Sequence, residues 1–154
     1  MTNRSERREE QRRWSRILGE AKRDAEKAQA LLSQAQELCN RAAQRVAGHE
    51  DAQKAMRPLL EAISAKVRNA APDVETLRMT ARQNETLEEM LLASRQAGEW
   101  SIRLHRAAGV VIEAHGTAPA AGLAEIKEIQ KAAQSLTEVL QRLALLPESP
   151  RAEV

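Results

Sequence analysis

Six arginines surround a tryptophan near the start of the chain, with three glutamates interspersed among them. Arg8, Arg12 and Arg16 share one face of a helix, because positions four apart stack on each other. A row of guanidinium groups beside an indole can meet phosphates or stack on an unpaired base. The alternative is a solvated helix face whose charge is partly neutralised by local Glu–Arg pairs. The candidate phosphate or nucleic-acid contacts are therefore Arg8, Arg12, Arg13, Trp14 and Arg16.

His105 is the second residue whose setting suggests chemistry. It lies in the stretch LHRAAG, residues 104–109, with Gly109 four residues after the histidine. This stretch resembles the phosphorylatable-histidine motif of histidine phosphotransfer proteins, which are helical bundles. The resemblance implies an exposed His105 that accepts a phosphoryl group. That family usually has lysine just before the glycine, whereas this chain has Ala108, which gives the phosphoryl group no electrostatic support. The alternative is a histidine packed in or beside a helix seam.

Other kinds of catalytic or cofactor site find no support in the spacing of the residues. No glutamate precedes His49, His105 or His115 by three positions, as a di-iron site in a helical bundle requires. Neither a Walker-type lysine nor a glycine-rich turn is present for a nucleotide. We therefore predict a protein that is not an enzyme, with no metal, no cofactor and no small-molecule substrate.

Composition favours long helices over any other structure. Phe and Tyr are absent, Trp occurs twice, and 42 % of the 154 residues are hydrophobic, which suits one domain. Residues 1–23 carry eight basic and four acidic side chains, so the excess positive charge lies at the N-terminus. The single cysteine, Cys39, is typical of a reducing compartment. Because no long apolar run and no signal-peptide core is present, we expect a cytoplasmic protein without membrane contact.

A heptad stripe over residues 11–46 dominates the first third of the chain. Its two registers are Trp14, Ala21, Ala28, Ala35, Ala42 and Leu18, Ala25, Leu32, Cys39, Val46. A repeat of seven predicts left-handed coiling around partner helices. Because most members are alanine, the stripe can be buried only by close approach of another backbone.

Helices are predicted at residues 5–47, 50–70, 72–114 and 121–146, with breaks at Gly48, at Pro72 and in the loop before Gly122. They form a single domain, 1–146, followed by a disordered tail, 147–154. The predicted fold is all-α: an elongated antiparallel four-helix bundle with coiled-coil-like packing, two long helices and two shorter ones. The long first and third helices would extend beyond the other two, leaving part of their stripes for another molecule.

Polar residues occupy core-like heptad positions of the predicted third helix. The candidate buried polar seam consists of Asn84, Ser94, Ser101 and His105. Such residues pair with one another, fix the register or face solvent along a groove. The candidate contacts with another protein are the larger apolar residues Leu31, Leu38, Leu91 and Trp100. For Trp100 the alternative is an ordinary, partly buried side chain of the bundle.

Three functions follow from these patterns. The leading hypothesis is a non-enzymatic interaction or scaffold protein that self-associates or docks onto a partner protein through its long helices. The alternative is a small helical nucleic-acid-binding subunit of a larger assembly that uses the Arg-rich N-terminus. The weaker alternative is a bundle that acts in histidine phosphotransfer.

Overall fold

A computed structural model describes residues 4–83, 87–115 and 120–146 of the chain. Its four helices are α1 Arg4–Ala47, α2 Glu50–Gln83, α3 Leu87–His115 and α4 Leu123–Ala144. Both α1 and α3 pack against α2 and α4, which closes a four-helix ring, and the described part contains no strand. The predicted all-α four-helix bundle is thus confirmed.

The alanine-rich stripe of α1 forms one wall of the core. From Ala21 to Val46 every member of its two heptad registers is at most 4 % exposed. Trp14 and Leu18 belong to the same stripe but are only half-buried, although both pack against the core. Because alanine side chains are short, α2 and α4 approach the backbone of α1 closely. The stripe therefore works as a packing surface as far as the bundle reaches.

The predicted break at Pro72 is wrong, because α2 continues through both Pro58 and Pro72 to Gln83. The third helix accordingly begins near residue 87 and not at 72, and it has 29 residues. At 1.5 Å per residue, α1 is about 66 Å long, α2 about 51 Å, α3 about 44 Å and α4 about 33 Å. The two longer helices are α1 and α2, so α3 is not a long helix that extends beyond its neighbours.

Burial beyond Pro72 explains why α2 continues. A proline inside a helix costs about 3 kcal/mol, because it removes one backbone donor and its ring crowds the preceding turn. Val74 and Leu77 are fully buried, and Ala81 is 2 % exposed, in the same 3–4 spacing that precedes the proline. Burying a valine or leucine side chain contributes about 1.5–3 kcal/mol. The burial therefore offsets the cost of Pro72, whose own side chain is exposed.

In α3 the buried residues include two members of the predicted polar seam and a second, apolar row beside it. Met90, Ala97, Leu104 and Val111 are 0–2 % exposed and face the core together with Ser94, Ser101 and Ala108. Gly98, His105 and Ile112 are only half-buried and lie at the edge of the interface. The core of α3 therefore contains this apolar row together with the two buried serines.

Gly122 directs the chain into α4. It lies at the N-cap with φ of +83°, a conformation that glycine adopts without steric cost. A Cβ at this position would also lie 3.2 Å from Val46 Cγ2 and 3.4 Å from the Ala42 carbonyl oxygen. The glycine therefore lets the start of α4 lie directly against the end of α1.

Candidate functional site

The N-terminal end of α1 extends past a group of ion pairs that join α1 to α2 and α4. Arg142, near the end of α4, lies 3.2 Å from Asp24, and Arg82, near the end of α2, lies 3.1 Å from Glu26. Because α2 ends at Gln83 and α4 at Ala144, the part of α1 before about residue 20 runs past both helices. We call residues 4–16 the N-terminal arm.

The pKa values of the groups at the base of the arm reflect these ion pairs. Partial desolvation raises the pKa of Glu26, but hydrogen bonds and charges from Arg78 and Arg82 outweigh it, and the net pKa is below its ordinary value. The pKa of Arg142 is raised, first by its hydrogen bond to Asp24 and then by the charge of that carboxylate. These pairs therefore consist of ionised groups, and they join α2 and α4 to α1.

The arm is exposed to solvent along most of its length. Every residue from 4 to 13 is exposed, as are Ser15 and Arg16. Among the described residues, Arg8, Arg12 and Arg16 have no carboxylate partner, although Arg41, Arg45, Arg78, Arg82 and Arg142 each have one. The arm holds six arginines and three glutamates. It is thus a positively charged helix whose guanidinium groups remain available.

The apolar stripe of α1 ends where the bundle ends. Seven residues before Trp14 the same register is occupied by Arg7, and seven before Leu18 by Gln11. Trp14 packs against the core, on the opposite side of the helix from Arg12. The indole and the Arg8–Arg12–Arg16 row therefore do not form one combined surface. Beyond Trp14 the arm offers charge and hydrogen bonds but little apolar area.

The four predicted protein contacts fall into two groups. Leu38 and Leu91 are 4 % and 5 % exposed within the chain's own core, so as folded neither presents a surface to another molecule. Leu31 and Trp100 are half-buried and pack against the edge of the core. The guanidinium of Arg103 lies 4.6 Å from the centre of the Trp100 ring. The prediction of an interface must therefore be corrected for the two leucines, which are core residues.

Two members of the predicted polar seam lie inside the bundle, with their hydroxyl groups satisfied. Ser94 donates to the carbonyl of Leu91 at 2.9 Å, and Ser101 lies 2.8 Å from Thr137 Oγ1 on α4. His105 is half-buried at the edge of the interface. Asn84 lies outside the described residues. The buried serines thus make contacts within one copy of the chain and need no second copy to satisfy them.

Gly109, four residues after His105, lies close to a side chain of α4. A Cβ at Gly109 would lie 3.1 Å from Nε2 of Gln130, the far end of a flexible side chain that can move aside. The half-buried His105 lies on the same row of α3. Packing against α4 therefore does not by itself require glycine at this position.

A cavity of about 290 Å³ lies between α1 and α2 beside Cys39, lined also by Arg57, Glu61 and Ser64. Burial raises the pKa of the Cys39 thiol to about 11, and Arg68 opposes this only partly. The thiol is therefore protonated at neutral pH and is a poor nucleophile.

In the described part of the chain, no group of three or more His, Cys, Asp or Glu side chains is placed to hold a metal ion.

Three exposed apolar residues near the base of the arm are not evident from the sequence pattern. Met79, Leu92 and Leu145 are 52 %, 58 % and 83 % exposed. They lie outside the heptad rows, and only the antiparallel arrangement of the helices brings them to the same end.

No described helix has the length and apolar character to cross a membrane. Comparisons of the chain with family models, curated proteins and solved structures find no match.

Proposed function

We propose that this chain is a non-enzymatic interaction protein in which the four-helix bundle holds the N-terminal arm out for docking onto another macromolecule. The observation that carries the proposal is the extension of α1 beyond the ends of α2 and α4, with its arginines exposed and without carboxylate partners among the described residues. The arm continues a helix that is already nucleated within the bundle, and a partner would add the tertiary contacts that the arm lacks. The single, buried Cys39 is in keeping with action in the cytoplasm.

The mechanism is recognition by a preformed helix. Because α1 is one continuous helix from Arg4 to Ala47, the rigid bundle fixes the direction of the arm. Binding then costs less conformational entropy than ordering a flexible tail would. The arginine row provides charge-assisted hydrogen bonds to carboxylates or phosphates.

Site-specific photocrosslinking tests this proposal. A photoreactive residue is placed at Gln11 on the arm and, as a matched control, at Gln34, an exposed glutamine of α1 within the bundle. We expect products of higher mass from position 11 and few from position 34, whether the captured molecule is a second copy or another macromolecule. Equal yields from both positions would show that the arm is not the docking element.

A second candidate function is binding of nucleic acid. The exposed row of Arg8, Arg12 and Arg16 favours it, since three guanidinium groups on one helix face match a phosphate backbone. Neutralising three phosphates predicts that affinity falls about 40-fold between 50 and 200 mM salt. The packing of Trp14 against the core argues against stacking on a base.

Electrophoretic mobility shift with short RNA and DNA at those two salt concentrations tests the second candidate. Binding that is lost in Arg8→Glu/Arg12→Glu and kept in Arg95→Glu/Arg106→Glu would support it. The control variant makes the same change of charge at two exposed arginines of α3. Absence of any shift at the lower salt concentration would remove this candidate.

A further inference from the structure

Exposed apolar side chains and exposed acidic side chains are both found near the end of the bundle from which the arm projects. The last turns of α2 and α4 and the first turn of α3 form this end, which we call the arm end. Met79, Leu92 and Leu145, at 52–83 % exposure, lie near it, and Leu146 is half-buried there. Large apolar side chains that are exposed near one end of a bundle suit an interaction surface.

Glu88 and Glu89 supply negative charge at the arm end. Both lie in the first turn of α3 and are exposed, with no basic partner among the described residues. The arm carries the opposite charge, through arginines that are likewise without carboxylate partners. Among the described residues no ion pair joins these arginines to the glutamates of their own chain, and α1 is one continuous helix through the arm.

We propose that two copies of this chain associate through their arm ends, with the arginine row of each arm against Glu88 and Glu89 of the other copy. This inference rests on the proposed function and names the partner of the arm as a second copy. The same end of the chain carries the positively charged arm and the negatively charged, apolar surface. In a dimer with a twofold axis, each arm therefore contacts that surface on the other copy. The apolar side chains of the arm end are covered in the same contact.

Binding of a second copy explains more features of the arm end than binding of nucleic acid does. A phosphate backbone would satisfy the arginines, but it would leave Met79, Leu92 and Leu145 in water. It would also be repelled by Glu88 and Glu89 at the base of the arm. A second copy satisfies both the charges and the apolar residues.

Charge reversal with rescue tests the pairing, with the native mass of the full chain measured by sedimentation equilibrium. The wild type is expected to be a dimer. Arg8→Glu/Arg12→Glu and Glu88→Arg/Glu89→Arg should each raise the dimer Kd at least about tenfold, because each places like charges together. Combining all four substitutions should restore dimerisation. Failure of the combined variant to dimerise better than either parent would overturn the proposed pairing.

Two controls separate the possible failures. Lys127→Glu/Lys131→Glu, at two exposed positions near the start of α4 and so at the opposite end of the bundle, should leave the Kd unchanged, and circular dichroism should show the same helix content in every variant. A monomeric wild type would overturn the second-copy proposal. If position 11 nevertheless crosslinks to another macromolecule, the arm remains a docking element and only the identity of its partner changes.

Discussion

The hydroxyl oxygens of Ser101 on α3 and Thr137 on α4 lie 2.8 Å apart inside the bundle. Each also lies 2.8 Å from a carbonyl oxygen of its own helix, Gly98 for Ser101 and Ala133 for Thr137, so one hydroxyl donates to the other helix while the second donates to its own carbonyl. The pair therefore joins two helices without leaving a buried hydroxyl unsatisfied. It fixes the register of α3 against α4 through polar contacts in an otherwise apolar seam.

We predict that Ser101→Ala and Thr137→Val each lower the free energy of unfolding by about 1 kcal/mol, because the remaining hydroxyl keeps its carbonyl partner. The double variant should lose less than the sum of the two, with a coupling of at least about 0.5 kcal/mol. A double-mutant cycle by urea denaturation measures this. Strict additivity would show that the two hydroxyls do not stabilise each other.

A larger side chain at Ala28 should separate the helices. Ala28 is fully buried in the α1 stripe, so Ala28→Leu should destabilise the protein by about 1–3 kcal/mol through overpacking. The matched control is Ala30→Leu, which places the same side chain on the exposed face of the same helix and should change stability by less than about 0.5 kcal/mol. Equal effects of the two substitutions would contradict close packing along the stripe.

Pro72 tests the continuity of α2. Inside a helix, Pro72→Ala restores a backbone donor, and the protein should gain about 1 kcal/mol after the greater freedom of its unfolded chain is counted. In the first turn of a helix, proline is favourable, and the same substitution would be neutral or destabilising. Chemical denaturation of the two proteins decides between these arrangements. A loss of stability in Pro72→Ala would contradict a helix that runs from Glu50 to Gln83.

The heptad pattern predicts most of the fold because burial follows it closely. The rows from Ala21 to Val46 in α1 and from Ile126 to Leu143 in α4 are buried as their spacing indicates. The sequence also contains the signal for a continuous α2, since Val74 and Leu77 keep the phase of Ile63 and Val67. From the sequence alone, the tendency of proline to end a helix predicts a break there. In the folded chain, the free energy gained by burying these side chains offsets the cost of the proline.

The candidate site is only partly predictable from the sequence. Charge counting locates the basic arm, because its arginines are adjacent in the chain. The arm end combines Met79 of α2, Leu92 of α3 and Leu145 just after α4, and no local pattern relates them. Leu38 and Leu91 illustrate the reverse error, since large apolar residues look like contacts until the neighbouring helices that bury them are placed.

The buried thiol predicts a pH dependence of stability at alkaline pH. Burial raises the pKa of Cys39 from 9.0 to about 11 in the folded chain. Between these values the unfolded thiol is ionised while the folded one keeps its proton, so stability falls as pH rises through this window. This one group contributes at most about 1.4 kcal/mol per pH unit, and nothing that varies with pH below its unfolded pKa.

The control for this prediction is Cys39→Ala, measured over the same range by urea denaturation. Lysines also titrate near this pH, so the informative quantity is the difference in unfolding free energy between the wild type and the variant. That difference should decrease from pH 9 to pH 11. A constant difference would mean that the thiol ionises equally well in the folded chain.

Hydrogen exchange of the arm, measured on the full chain at low and high protein concentration, tests the central claim most directly. At dilution the amides of residues 4–13 have no tertiary contacts to protect them, and they should exchange quickly. At high concentration their exchange should slow as the arms dock, while the amides of residues 21–46 stay protected at both concentrations. Arm amides that exchange equally fast at every concentration would contradict association of two copies through the arm.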